Sequence, residues 1–164
     1  MPEDFVQKLF RSYSFEETDL TCRLQELNLS KNCFSSFPLE ICQLKFLKSL
    51  DISGNHLGKY DLSSSSSLKQ ANNMPAIQIL NISRNNLSNF NFEYFLSTLL
   101  PNCSQLVSLT AERNNIDTLS SILVEFNNLR ELNLSDNKIK SIDFNKFKFN
   151  KLEVTFLNFK LIYL

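Results

Sequence analysis

The sequence predicts an α/β solenoid, with a curved parallel β-sheet on its concave side and short helices and loops on its convex side. Three observations support this fold class. The pattern LxxLxLxxNxL occurs five times, starting at residues 24, 47, 77, 106 and 129. Within each copy apolar and polar residues alternate, as they do in a strand that buries one face. Only two of the 164 residues are glycine, so asparagine and serine mark the corners that follow the strands.

The five copies resemble the leucine-rich repeat, and residues 24–142 are similar to the cytoplasmic proteins that contain it. The resemblance implies a leucine-rich-repeat solenoid with five clear repeats. A sixth repeat starts at Leu152 but is degenerate, because Thr155 and Lys160 stand where a core leucine and the corner asparagine are expected. We expect this last repeat to be truncated. The predicted domains are a capping segment at 1–23, five repeats at 24–151 and the degenerate sixth repeat at 152–164.

The asparagine at the ninth position of each copy is predicted to stabilise the corner after the strand. An amide side chain carries donors and an acceptor, so it can satisfy backbone groups that a turn leaves unpaired. Stacking of successive repeats would align these residues in a ladder with a structural role and no catalytic one. The ladder consists of Asn32, Asn55, Asn85, Asn114 and Asn137.

A further apolar position follows each copy and is predicted to pack on the convex side of the core. The residues at this position are Phe37, Tyr60, Phe90, Leu119 and Ile142. In the third repeat the segment 91–100 also has the apolar spacing of an amphipathic helix. We expect Asn91 to be the N-cap of this helix and Pro101 to end it.

Neither the cysteines nor the single histidine indicates catalysis or metal binding. His56 follows a ladder asparagine at a position expected to face solvent. The sequence contains no nucleophile elbow, no phosphate-binding glycine loop and no metal-ligand spacing. We therefore expect a non-enzymatic protein with no cofactor and no metal. The cysteines, expected to be reduced and mostly buried, are Cys22, Cys33, Cys42 and Cys103.

The N-terminus indicates where the protein resides. Residues 1–4 are acidic and precede no apolar stretch of the kind found in secretory signals. No run approaches the roughly 18 apolar residues that span a membrane. Five Asn-x-Ser sequons would suit a secreted or receptor repeat domain, but three of them are by-products of the strand sequences LNLS and LNIS. We therefore expect a cytoplasmic protein with no membrane partner.

The outward strand positions define the concave face, which is the candidate binding surface. Its three rows are Glu26, Ser49, Ile79, Ser108 and Glu131; Asn28, Asp51, Asn81, Thr110 and Asn133; and Ser30, Ser53, Ser83, Glu112 and Ser135. This face is polar and mildly acidic, and it lacks the tryptophan, tyrosine and arginine anchors that dominate many interfaces. Lys31, Arg84 and Arg113 occupy the next position and are expected to form a basic rim. The face either binds a protein partner or consists of solvated residues that keep the sheet soluble.

The order of the repeats is also similar to that in the family of leucine-rich repeat-containing protein 47. The similar features are a lengthened second repeat, LNISRNNL in the third, and LTAERNNIDTLS in the fourth, where Ala111 replaces a leucine. In that family the repeats precede a charged linker and a B3/B4 domain like that of the phenylalanyl-tRNA synthetase β-subunit, which implies RNA association. RNA is therefore expected as a partner only in a larger context. The leading hypothesis is an intracellular protein-protein interaction module whose partner is unknown.

Overall fold

The structure is a computed structural model that describes residues 23–59, 74–99, 104–142 and 146–157. Within these ranges six short strands form one parallel sheet in chain order. They are β1 (Glu26–Asn28), β2 (Ser49–Asp51), β3 (Ile79–Asn81), β4 (Ser108–Thr110), β5 (Glu131–Asn133) and β6 (Val154–Phe156). The predicted capping segment up to residue 22 and the predicted convex residue Tyr60 lie outside the described residues.

The strand register aligns equivalent positions of successive repeats. The aligned core residues are Leu27, Leu50, Leu80, Leu109 and Leu132. The last four of them are at most 1% exposed, because side chains alternate between the two faces of a strand. In β6, Thr155 pairs with Leu132 and is exposed. The sixth repeat thus continues the sheet in the frame that starts at Leu152, but its central strand residue adds nothing to the core.

The residue before each ladder asparagine adopts a left-handed backbone conformation. Their φ values lie between 53° and 65°, and the residues are Lys31, Gly54, Arg84, Arg113 and Asp136. Glycine adopts this conformation freely, whereas other residues are strained by about 1–2 kcal/mol. Four of the five corners have a residue other than glycine in this conformation and are therefore strained. The corner is therefore shaped by the hydrogen bonds of the asparagine that follows it.

Gly58 marks a close approach of two backbones. A Cβ at this position would overlap the carbonyl group of Asn86 and lie 2.8 Å from the nitrogen of Leu87. The Gly58 N–H donates to the carbonyl of Asn85 at 2.9 Å, which holds the second and third repeats together. No residue larger than glycine fits here without movement of the neighbouring repeat.

Short helices cover the convex side of the first and fourth repeats. Two 3-10 helices span Leu39–Gln43 and Ser121–Glu125. Of the predicted convex core residues, Phe37 is buried, and Leu119 and Ile142 are half-buried against the core. Short elements on this side and strands on the other agree with the predicted layering.

The third repeat carries the longer helix α1 (Asn89–Leu99), which starts two residues before the predicted N-cap. The N–H of Asn91 donates to the Oγ of Ser88 at 3.3 Å, and the N–H of Phe92 donates to the Ser88 carbonyl at 2.9 Å. Ser88 is therefore the N-cap. The prediction of Asn91 as the N-cap is wrong, because that residue lies inside the helix and is 5% exposed.

This earlier start also turns Phe90 outward. Phe92, Phe95 and Leu96 form the buried face of α1 and are at most 1% exposed. Phe90 lies on the opposite face, is 55% exposed, and stacks on Tyr94 with ring centroids 6.3 Å apart. The prediction that Phe90 packs into the convex core is therefore wrong.

Candidate functional site

The asparagine ladder forms the platform on which the concave face rests. The Nδ2 of Asn85 donates to the carbonyl of Ile82 in its own repeat and to the carbonyl of Ile52 in the preceding repeat, at 3.1 and 3.0 Å. Its Oδ1 accepts the N–H of Leu57 at 3.3 Å. Because the Asn85 side chain bonds two repeats, the corners of these two repeats cannot move independently.

The other ladder residues differ in burial. Asn55 and Asn114 are 3% and 6% exposed. Like Asn85, each forms hydrogen bonds to the backbone of its own repeat and to that of the preceding repeat. Asn137 is half-buried and also bonds two repeats. Asn32 is exposed, and its two donated bonds remain within its own repeat. The ladder is therefore most tightly held in the central repeats.

The first row of the concave face consists of the first residue of each of the strands β1 to β5. Its members lie side by side on adjacent strands: Glu26, Ser49, Ile79, Ser108 and Glu131. Ile79 is 50% exposed, both glutamates are exposed, and the two serines are half-buried. Adjacent strands are about 4.8 Å apart, so each glutamate lies about 10 Å from Ile79 along the row.

The sequence analysis missed two residues of this face, both on β6. Val154 pairs with Glu131 and extends the first row, and Phe156 pairs with Asn133 and extends the second. They are 39% and 54% exposed. The frame that starts at Leu152 places both side chains outward, but the sequence analysis assigned no concave-face residue to the degenerate sixth repeat.

In the second row, several side-chain oxygens already accept hydrogen bonds from the backbone. The Oδ1 atoms of Asn28, Asp51, Asn81 and Asn133 each accept the N–H of the residue two positions later, at 2.9 to 3.1 Å. These bonds form Asx turns that end the strands. Thr110 interrupts the series. Only the remaining polar atoms of this row are left to contact a partner.

The third row contains the most buried residue of the concave face. Ser30, Ser53, Glu112 and Ser135 are half-buried, whereas Ser83 is 6% exposed. The Oγ of Ser83 accepts the N–H of Glu112 at 3.1 Å. The structure thus places Ser83 below the accessible surface, where it stabilises the sheet.

The predicted basic rim is only partly free. The Nε of Arg113 lies 2.9 Å from Asp136 Oδ2 and 3.1 Å from Glu112 Oε1. The hydrogen bond to Asp136, and then the charges of both carboxylates, raise the pKa of the guanidinium. Lys31 and Arg84 are exposed and form no ion pair within the described part of the chain. The rim therefore offers two unpaired cations beside the acidic rows.

Little of the described surface offers reactive chemistry. Within residues 23–59, 74–99, 104–142 and 146–157, no three His, Cys, Asp or Glu side chains are grouped so that they could hold a metal ion. His56 is exposed, as expected. Cys42 is buried, and burial raises the pKa of its thiol to about 11. Cys33 is a free thiol that is exposed, against the expectation of mostly buried cysteines, and Cys22 and Cys103 lie outside the described residues.

The helices of the described ranges are short, and none combines the length and apolar character needed to cross a membrane. The concave face instead carries carboxylates, small polar side chains and three exposed apolar residues, Ile79, Val154 and Phe156. A surface of this kind can contact another macromolecule through its side chains.

Comparison with known proteins identifies the repeat. A family model described as Leucine Rich Repeat matches residues 23–44 and 128–157, and a second leucine-rich-repeat model matches residues 43–59. The protein flightless-1 homolog of Caenorhabditis elegans is 31% identical over 117 residues. That alignment covers 71% of this chain but 8% of the relative, so the chain spans a small part of that protein's length.

A solved structure shows the same fold. Internalin C2 from Listeria monocytogenes superimposes with a TM-score of 0.56 at 24% sequence identity, over 82% of this chain and 51% of that chain. At this identity the likeness concerns the fold alone. Together with the matched repeats and the six parallel strands, it confirms the predicted solenoid.

Proposed function

We propose that this leucine-rich-repeat protein is a non-enzymatic module that binds another protein through its concave face. One observation carries the proposal: Ile79 is half exposed on the third of six strands, midway along the first row of a polar sheet face whose corners are fixed by the asparagine ladder. Repeat domains of this kind generally mediate protein-protein interactions, and their rigid strands present side chains in register.

The size of the face indicates how such a partner would bind. Six strands at about 4.8 Å spacing span about 24 Å, and the three rows span about 13 Å along the strands. The resulting area of about 300 Å² is less than the roughly 800 Å² that each partner buries in a stable complex. The partner therefore binds weakly or also contacts the rim at Lys31 and Arg84.

The cytoplasm is the proposed site of this interaction, because residues 24–142 resemble the repeats of cytoplasmic proteins. RNA is not proposed as the partner of the concave face. Its rows contain Glu26, Asp51, Glu112 and Glu131 and no cationic side chain, so phosphate groups would be repelled there. A B3/B4 domain, implied only by the resemblance, is not needed for the proposed activity.

Affinity capture tests the proposal. The full chain is expressed with a tag, and co-purified proteins are compared before and after nuclease treatment. Ser108→Arg places a long cation in the first row between Ile79 and Glu131, whereas Ser121→Arg, at an exposed position of the convex helix, is the matched control. We expect a nuclease-resistant protein that is lost with Ser108→Arg and kept with Ser121→Arg.

The positive charge introduced by Ser108→Arg distinguishes a protein partner from an RNA partner. Arginine at position 108 blocks a protein docked on the acidic rows but attracts RNA. The proposal is overturned if every captured protein disappears after nuclease treatment, or if Ser108→Arg and Ser121→Arg capture the same proteins as the unmodified chain.

A further inference from the structure

We infer that the bound segment of the partner protein is basic, with one apolar side chain between two cationic ones. This inference rests on the proposed function of the concave face. It adds the chemistry of the occupant, which follows from the order of side chains in the first row.

That row has an apolar centre and an acidic residue on each side. Ile79 has a serine on each neighbouring strand, and the next strand outward carries Glu26 on one side and Glu131 on the other. The serines are shorter than isoleucine and half-buried, which leaves the isoleucine side chain 50% exposed. A partner's apolar side chain can therefore contact Ile79 from above while its neighbours reach the two carboxylates.

The charges around this row are not balanced internally. Among the described residues neither Glu26 nor Glu131 forms an ion pair. The other two acidic residues of the face differ, since Glu112 pairs with Arg113 and an oxygen of Asp51 accepts the N–H of Ser53. Among the described residues Glu26, Asp51 and Glu131 thus lack an ion pair, and the two glutamates are the ones that lie in the same row as Ile79. Cations from a partner complement them.

The spacing fits an extended peptide. A polyproline II segment rises about 3.1 Å per residue and presents every third side chain on the same face. Positions i−3, i and i+3 are therefore about 9 Å apart, close to the separation of about 10 Å between Ile79 and each glutamate. A segment with a basic, an apolar and a basic residue at these positions fits along the row, across the strands.

A peptide titration of the full chain tests this chemistry. The probe is Lys-Pro-Pro-Leu-Pro-Pro-Lys, and binding is followed by amide chemical-shift changes in the ¹⁵N-labelled protein. We expect changes centred on Ile79 and a dissociation constant that rises with ionic strength. The peptides Glu-Pro-Pro-Leu-Pro-Pro-Glu and Lys-Pro-Pro-Ser-Pro-Pro-Lys should bind more weakly.

Matched variants identify the carboxylates responsible. The pair Glu26→Gln and Glu131→Gln should weaken binding of the basic peptide by about fivefold or more, since two ion pairs are lost. Glu125→Gln, on the exposed convex helix, should leave the affinity unchanged. The pair Glu26→Lys and Glu131→Lys should reverse the preference, so that the glutamate peptide binds better than the lysine peptide.

Three results overturn the inference. One is equal binding of the lysine and glutamate peptides by the unmodified chain. Another is a set of shifts confined to the rim or the convex side. The third is concentration-dependent shifting of the row without peptide, which would show that a second copy occupies it. If captured proteins depend on Ser108 but the peptide fails, only the partner's chemistry is wrong and the proposed function stands.

Discussion

Replacement of Asn114 by leucine tests a buried ladder residue whose side chain forms hydrogen bonds to two repeats. The Nδ2 of Asn114 donates to the carbonyls of Ile82 and Ala111 at 3.1 and 3.0 Å. Its Oδ1 accepts the N–H groups of Leu87 and Asn85 at 2.9 and 3.1 Å. Leucine has no polar atom, so all four backbone groups lose this partner. At about 1–3 kcal/mol for each stranded group, the two N–H groups alone lower the free energy of unfolding by about 2–6 kcal/mol.

Urea denaturation followed by circular dichroism measures this loss. Asn32→Leu is the matched control, because Asn32 is exposed and bonds only its own repeat. Ser108→Leu, on the concave face, should change the stability by no more than about 0.5 kcal/mol. Since small domains are stable by about 5–15 kcal/mol, the effect of Asn114→Leu is large. Equal unfolding free energies for Asn114→Leu and Asn32→Leu would refute the reasoning.

Three further predictions concern packing and thiol chemistry. Gly58→Ala should lower the free energy of unfolding by about 1–3 kcal/mol in urea, because the added methyl group meets the next repeat's backbone. Phe95→Ala should cost about 3–5 kcal/mol and Phe90→Ala far less, since the first side chain is 1% and the second 55% exposed. Iodoacetamide should modify Cys33 and not Cys42 in the folded protein, as peptide mass mapping would show. Because folding raises the pKa of Cys42 from 9.0 to about 11, stability should fall as pH rises through that window, and Cys42→Ala should remove that part of the loss.

The predictable parts of the fold are formed by residues that recur at a fixed spacing within each repeat. The core leucines and the ladder asparagines recur at the same offsets in each repeat, so stacking one repeat on the next aligns them regardless of the loops between. The lengthened second and third repeats therefore do not disturb the register of Ser49 with Ile79, or of Ile79 with Ser108.

The parts that were mispredicted depend on contacts between repeats. Ser88 and Asn91 are both suitable N-caps, and Ser88 also forms a parallel bridge with Asn115 of the next repeat, which fixes the backbone where the helix starts. The frame of β6 is the expected one, which starts at Leu152, but Val154 and Phe156 were missed as exposed residues of the concave face. A local sequence pattern carries no information about contacts with the adjacent repeat.

The sequence predicts which positions form the candidate face, but not which of their side chains are exposed and free of hydrogen bonds to the fold. Strand alternation identifies its rows, yet it does not show that Ser83 is buried or that Asn81 bonds the backbone two residues later. Nor does it show that, among the described residues, Arg113 forms ion pairs with Glu112 and Asp136 whereas Arg84 forms none. Whether a partner occupies this face stays a prediction.

Site-specific photo-crosslinking tests the central claim most directly. A benzophenone amino acid is placed at Ser108 on the concave face or at Ser121 on the convex helix, and the full chain is irradiated in cells. We predict a nuclease-resistant protein adduct from position 108 that is absent from position 121. Adducts from position 121 alone, or adducts from position 108 that consist only of RNA, would contradict the assignment of the concave face as a protein-binding surface.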